Sequence, residues 1–190
     1  IPNFMNLFAT SSEIGIDPTV AGSIVGTYWF LMMIGRLCGA SIGAKVSSRA
    51  MLTVVSTVGI VLVLGAIFCA DNILVNMPVF KSDISFGFAQ VPVNVMLLIL
   101  CGLCTSVMWG GIFNLAVEGL GKYTAAASGL FMVMVCGGGI LPLIQGGVAD
   151  FAGFLNSYWV IALGLAYILF YAAIGSKNVN TDIPTDDYEA

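Results

Sequence analysis

The hydrophobic positions of this chain fall in long blocks, with neither the two-residue alternation of a half-buried strand nor the narrow 3.6-residue stripe of a surface helix. Five blocks stay almost free of charge for about 20 residues or more, the length of helix that crosses a ~30 Å hydrocarbon core at ~1.5 Å per residue. They lie at about 19–43, 50–70, 91–117, 124–149 and 156–174. Asp17-Pro18 opens the first as an N-cap followed by a first-turn proline, and Asp71-Asn72 follows the second. Gly87 and Pro92 place the start of the third near Val91, and Glu118 with Lys122 closes it. The apolar stretch 1–10 is too short to cross, lacks the pattern of a cleaved signal, and reads as the end of a further helix. Barrel strands need alternating segments of about ten residues. None of the five blocks alternates, so the expected class is an all-α integral membrane protein, with no internal repeat.

Composition sharpens this reading. Of 190 residues, 59% are hydrophobic and 8% charged, against roughly 25% charged in a soluble domain, so the lipid bilayer is an expected partner. Six Lys and Arg against ten Asp and Glu leave no basic stripe for a phosphate backbone, which excludes nucleic acid. Histidine is absent, removing imidazole metal sites and the Ser-His and Cys-His nucleophile pairs. The five cysteines all sit in apolar stretches and read as small buried hydrophobes. No metal, cofactor or enzymatic activity is expected.

The basic residues orient the helices. Arg36, Lys45 and Arg49 surround the first turn between crossings, Lys122 lies in the third, and Lys177 follows the last; Lys81 is alone on the other side. The positive-inside rule then puts the C-terminus in the cytoplasm, with 11–17, the long connection 71–90 and the turn 150–155 facing outward. The acidic segment 176–190 reads as a disordered cytoplasmic tail.

Several residues inside the crossings carry chemistry. Gly35, Gly39 and Gly43 form a G-x-x-x-G-x-x-x-G ridge that lets a neighbouring backbone approach, with Arg36 beside it as topology anchor or substrate contact. In the third crossing Gly102, Ser106, Gly110 and Asn114 make a small and polar stripe, next to Thr105, Trp109 and Phe113. Trp109 lies well inside the crossing, away from the interface where tryptophan usually sits, so it borders a cavity or is an indole packed between helices. Asn114 is a ligand contact or interhelical glue. In the fourth crossing Gly137-Gly138-Gly139 precedes Pro142, whose ring and missing N–H free the Gly138 carbonyl. A bend is expected there, with Gln145 three residues on, as a site of ligand contact or hinge motion or as a plain packing kink. Cys101-x-x-Cys104 has the spacing of a redox pair but lies on an apolar helix. Every carboxylate lies at a span end, in a loop or in the tail, so a proton relay would have to reside in other sequence.

The segments at 26–39 (GTYWFLMMIGRLCG), 106–124 (SVMWGGIFNLAVEGLGKYT) and 137–150 (GGGILPLIQGGVAD) resemble the C-terminal half of the fucose-galactose-glucose:proton symporters, the L-fucose permease-like branch of the major facilitator superfamily. The resemblance covers nearly the whole chain, from a remnant of the seventh transmembrane helix through helices 8 to 12. It implies the C-terminal six-helix bundle of a twelve-helix fold, a missing N-terminal six-helix half as partner, and a monosaccharide bound between the halves and carried by alternating access. Coupling would be to protons, through carboxylates in the other half, in a bacterial inner membrane. The cavity-lining aromatic of the family's S-x-x-[YF]-P-T-I-F block falls on Trp109, although Gly110-Gly111 stand in place of Pro-Thr and Trp in place of Tyr or Phe. The expected substrate contacts are Trp109, Asn114, Gln145 and Phe113, and the expected gating or packing residues are Gly35, Arg36, Gly39, Gly138 and Pro142. The alternative is a membrane-embedded redox or scaffold subunit.

Overall fold

The computed structural model describes residues 1–11, 14–69, 73–80 and 85–177; most of the acidic segment read as a tail, from residue 178 on, lies outside them. Among the described residues, five helices or helical runs are long and apolar enough to cross a membrane: Pro18–Gly43, Ser48–Phe68, Val93–Val117, Gly121–Ala152 and Phe154–Gly175. The helical membrane class read from the chain is the class observed.

A short first helix, α1 (Pro2–Thr10), buries Met5, Phe8 and Ala9 against its neighbours. Helix α2 (Pro18–Gly43) starts where the Asp17 carboxylate accepts from the Thr19 N–H at 2.8 Å. That bond, to the charged form, holds the Asp17 carboxyl below its ordinary value. Helix α3 (Ser48–Phe68) is capped by Ser47, whose hydroxyl accepts from Ala50 N–H at 3.3 Å. Helix α4 (Val93–Val117) is the centre of the bundle, lying against both α2 and α3 and burying Leu98, Ile99 and Cys101 completely. The fourth crossing is split into α5 (Thr124–Met134) and α6 (Gly137–Ala152). Gly153, at φ +92°, makes the turn into α7 (Phe154–Phe170), a conformation that favours glycine. A π-turn, Tyr171–Gly175, extends α7.

Small residues bring α2 and α4 together. A Cβ at Gly102 would lie 2.8 Å from the Tyr28 carbonyl oxygen, and one at Gly35 would lie 2.9 Å from Ser106 Cβ and 3.0 Å from the Leu103 carbonyl. A Cβ at Gly39 would collide with Val107 Cγ1. Within the ridge, Gly35 and Gly39 make the close approach, whereas Gly43 has only Met51 Cε nearby, at 3.9 Å. The Tyr28 and Thr105 hydroxyls hydrogen-bond across the same interface at 2.9 Å. Since lipid is as apolar as leucine, close packing and such polar clasps hold helices together where burial gains little. The same physics explains the many exposed apolar side chains, such as Leu143 and Phe151.

Two features differ from the sequence reading. The connection 71–90, read as a long loop, holds most of an antiparallel hairpin of β1 (Leu74–Phe80) and β2 (Phe86–Pro92), so the helical bundle carries a small two-stranded sheet; β2 takes in Val91 and Pro92, read as the start of the third crossing, which begins at Val93. The interruption of the fourth crossing falls at Val135 and Cys136, ahead of the expected Gly138, and Pro142 sits inside α6. Gly138 and Gly139 bond back to the carbonyls of Val135 and Cys136 at 2.8 and 2.9 Å, the tight i to i+3 pattern of a new helix start. Three consecutive glycines cost about 1 kcal/mol each relative to alanine in a continuous helix, so the helix gives way at the front of the glycine run.

The basic end of the bundle is also tied. Arg49 donates from Nε to Ser176 Oγ at 3.2 Å and from Nη2 to the Ser176 carbonyl at 3.0 Å, joining the start of α3 to the end of the last crossing.

Candidate functional site

The exposed side of α4 is the strongest candidate. Trp109 is 48% exposed although it lies eight residues, or about 12 Å, from the end of a membrane-length helix. Its ring meets Phe131 of α5 at 5.2 Å between centroids, and Phe113 meets the same ring edge-on at 5.5 Å. Phe131 therefore ties the two aromatic residues expected from the sequence into one cluster, leaving part of the indole uncovered. Beside it Gly110 borders open space, with nothing within 4 Å of where its Cβ would be, whereas Gly111 packs against Leu52.

Next to this cluster a groove of about 340 Å³ runs between α2 and α4, bordered by Arg36, Gly39, Ser48, Ser106, Gly110 and Asn114. The small and polar stripe of α4 thus faces Arg36 of α2. Arg36 is exposed, and its nearest polar partner is Met32 Sδ at 3.8 Å. Asn114 is exposed and also borders a cavity of about 570 Å³ with Ser47, Ser48, Arg49 and Glu118. It stands three residues, about 5 Å, from the end of α4, near the basic end of the bundle.

Gln145 is placed differently. It is buried, and its Nε2 donates to Ser157 Oγ of α7 at 3.3 Å. The structure thus brings Trp109 and Phe113 together and sets Asn114 in the adjoining groove, while Gln145 joins α6 to α7. Gly138 and Pro142 lie on α6 just beyond the interruption, and Gly35 and Gly39 lie at the α2–α4 contact. Phe131 escapes sequence reasoning because nothing distinguishes it from the other apolar residues of its block. The Arg49–Ser176 bonds span 127 positions and have no local signature.

Chemically, the site offers a flat ring face, an amide, hydroxyls and one guanidinium. Such a set can hydrogen-bond a polar ligand and contains no nucleophile with a matching base. Among the described residues no group of three or more His, Cys, Asp or Glu side chains could hold a metal. Cys101 and Cys104 are both buried in α4 and unpaired.

Comparison with known proteins gives the context. The chain is 28% identical over 92% of its length to a glucose/galactose transporter of Brucella abortus, and 30% identical over 86% to a putative glucose/galactose transporter of Helicobacter pylori. The chain is a relative of these sugar transporters. It is also 33% identical over 48% of its length to an L-fucose-proton symporter of Escherichia coli, which agrees with the resemblance read from its motifs. The chain spans 37% of the length of the Brucella and Helicobacter relatives. No family model matches the chain, and no solved structure matches it significantly.

Proposed function

We propose that this chain is the C-terminal half of a monosaccharide transporter, working by alternating access together with an N-terminal half. The observation that carries the proposal is the likeness to glucose/galactose transporters along 92% of the chain. The half-exposed indole of Trp109 inside a membrane-length helix supports such a role. Trp109 is the sugar platform, steadied by Phe113 and Phe131, and Asn114 supplies a directed hydrogen bond from the adjoining groove. Arg36 lines the same groove, Gly35 and Gly39 keep α2 and α4 in contact, and Gln145 steadies α6 behind the interruption at Val135 and Cys136. Gly138 and Pro142 keep the fourth crossing weak enough there to bend. Since no carboxylate stands mid-crossing among the described residues, proton coupling falls to the other half.

The test is uptake of labelled D-glucose, D-galactose and L-fucose by the full-length protein in proteoliposomes, with and without an inward proton gradient. At least one sugar should accumulate only with the gradient. Uptake that ignores the gradient would overturn proton coupling, and no uptake of any of the three would overturn the substrate class.

Five of the six basic residues set the orientation, and the Arg49–Ser176 bonds show that the start of α3 and the end of the last crossing share one end of the bundle. In a cysteine-free background, Lys177→Cys should react with an impermeant thiol reagent only from the cytoplasmic side, and Ile73→Cys, before β1, only from the opposite side. Labelling of both from one side would refute this orientation.

A further inference from the structure

The β1–β2 hairpin does not stay at the ends of the helices. Its base is fixed where Val93 N–H donates to the Ile73 carbonyl at 3.0 Å, at the first residue of α4. Its tip lies far along α2: Phe80 N–H donates to Thr27 Oγ1 at 2.8 Å, and the Phe80 ring stacks on Phe30 at 5.1 Å with an interplanar angle of 6°. Thr27 is nine residues past Pro18, about 14 Å down α2. The same depth follows from α4, where Gly102, nine residues past Val93, packs against the neighbouring Tyr28 carbonyl. Because both helices are longer than a ~30 Å hydrocarbon layer and overhang it by a few ångströms, the tip reaches roughly a third of the way into that layer.

Hydrocarbon cannot be the medium around it. A two-stranded sheet has two open edges, and each strand turns half of its N–H and C=O groups away from its partner. Thr27 satisfies the outward N–H of Phe80 on the edge that lies against α2; outward groups on the other edge need protein or water, because irregular or open-edged backbone persists at this depth only against protein or a water-filled space.

The two faces of the hairpin differ in burial, and the exposed one carries two amides among the apolar residues Leu74, Phe86 and Phe88. Val79, Val91 and Met77 are buried on the inner face. On the other, Asn76 and Gln90 are directly opposite each other and both exposed, and the next pair on that face is Pro78 with Phe88, whose ring is 81% exposed. Two amides opposite each other on neighbouring strands stand about 5 Å apart, with an aromatic ring about 7 Å further along the same face. Amides that both donate and accept, beside an apolar ring, match the alternating hydroxyl and C–H surfaces of a pyranose.

We infer that the hairpin reaches into the water-filled access path at the end opposite Arg49, and that Asn76, Gln90 and Phe88 form a second, outer contact site for a monosaccharide. The inference rests on the transport reading for the identity of its ligand. A sugar would meet this face before the Trp109 region, so the site acts on capture.

The test uses the full-length transporter in sealed vesicles, in a cysteine-free background. Asn76→Cys and Phe88→Cys should react with an impermeant maleimide added on the side opposite Lys177, and a saturating concentration of the sugar that the parent carries should slow the reaction several-fold. The double variant Asn76→Ala, Gln90→Ala should raise KM for uptake about threefold to thirtyfold with kcat within about twofold, as expected for removing two neutral hydrogen bonds. Asn76→Gln should keep most of the affinity. Cysteines that react only after detergent is added would place the face against lipid or protein and overturn the inference. Parental KM in the double variant, with no protection by sugar, would overturn the contact site while leaving the transport reading intact. A parent that carries no sugar would overturn the transport reading and the ligand with it, and labelling would then still decide whether the hairpin faces water.

Discussion

Trp109→Ala in the full-length transporter is expected to weaken sugar binding by about 30- to 100-fold while leaving expression and thermal stability close to the parent. The magnitude follows from the surface at stake. A tryptophan that is 48% exposed presents on the order of 100 Å² for a ligand to cover. At about 25 cal/mol per Å², covering that surface contributes about 2 to 3 kcal/mol, and each 1.4 kcal/mol is tenfold in affinity. Stability should change less than binding, because around the covered half of the ring lipid is as apolar as protein and packing there gains little, which leaves the ring pair with Phe131, about 1 kcal/mol, as the main loss. Trp109→Phe should retain part of the affinity, since a smaller ring still offers a flat face. Titration calorimetry on both variants, with a thermal melt of each, decides the matter. If Trp109→Ala binds as tightly as the parent, or fails to bind only because it unfolds, the indole is a packing residue and the platform must be sought elsewhere on α4.

How far the chain alone reveals this arrangement depends on which force sets each element. The crossings are legible because lipid imposes a length and forbids charge, and both demands are met by continuous sequence at 50–70 and at 91–117. The hairpin is not. Along β1 the inward side of Val75, Met77 and Val79 alternates with Leu74, Asn76 and Pro78, but Leu74, Phe86 and Phe88 make the outer face apolar as well. The period-2 signal therefore disappears into general hydrophobicity, and Gly87 and Pro92 read as turn residues. The interruption of the fourth crossing is visible as a glycine and proline run. Its position is not, because the cost of three glycines acts at the front of the run and the missing N–H of Pro142 at its back.

At the candidate site the limit is tertiary. Trp109 and Phe113 are four residues apart on one helix, so their shared face follows from the helical repeat. Gln145 stands three residues beyond Pro142, and nothing in that spacing tells that its amide turns to Ser157 of α7. Likewise Arg36 and Asn114 border one groove because Gly35 and Gly39 bring α2 against α4, an approach that depends on both helices at once.

That approach sets the second large effect: Gly39→Leu is expected to unfold or split the bundle in detergent. An added Cβ at Gly39 would already collide with Val107 Cγ1, and leucine adds three further carbons in the same direction. Relief requires α2 to move away from α4. Such a movement stretches the 2.9 Å bond between Tyr28 and Thr105 and withdraws Gly35 from Ser106 and Leu103. Overpacking alone costs about 1 to 3 kcal/mol, and a membrane interhelical hydrogen bond adds about 0.6 kcal/mol, so the sum of about 2 to 4 kcal/mol approaches the whole of a folding free energy at the low end of the typical range of about 5 to 15 kcal/mol. Gly43→Leu provides the contrast, since a Cβ there meets nothing nearer than Met51 Cε at 3.9 Å. The two variants share the residue change, the helix and the added hydrophobicity, and differ in the neighbour alone. Thermal unfolding of the purified full-length protein should therefore show Gly39→Leu lower by many degrees and Gly43→Leu near the parent. Equal melting temperatures for Gly39→Leu and the parent would mean that the Gly39 face of α2 looks into lipid and that the ridge does not hold α2 to α4.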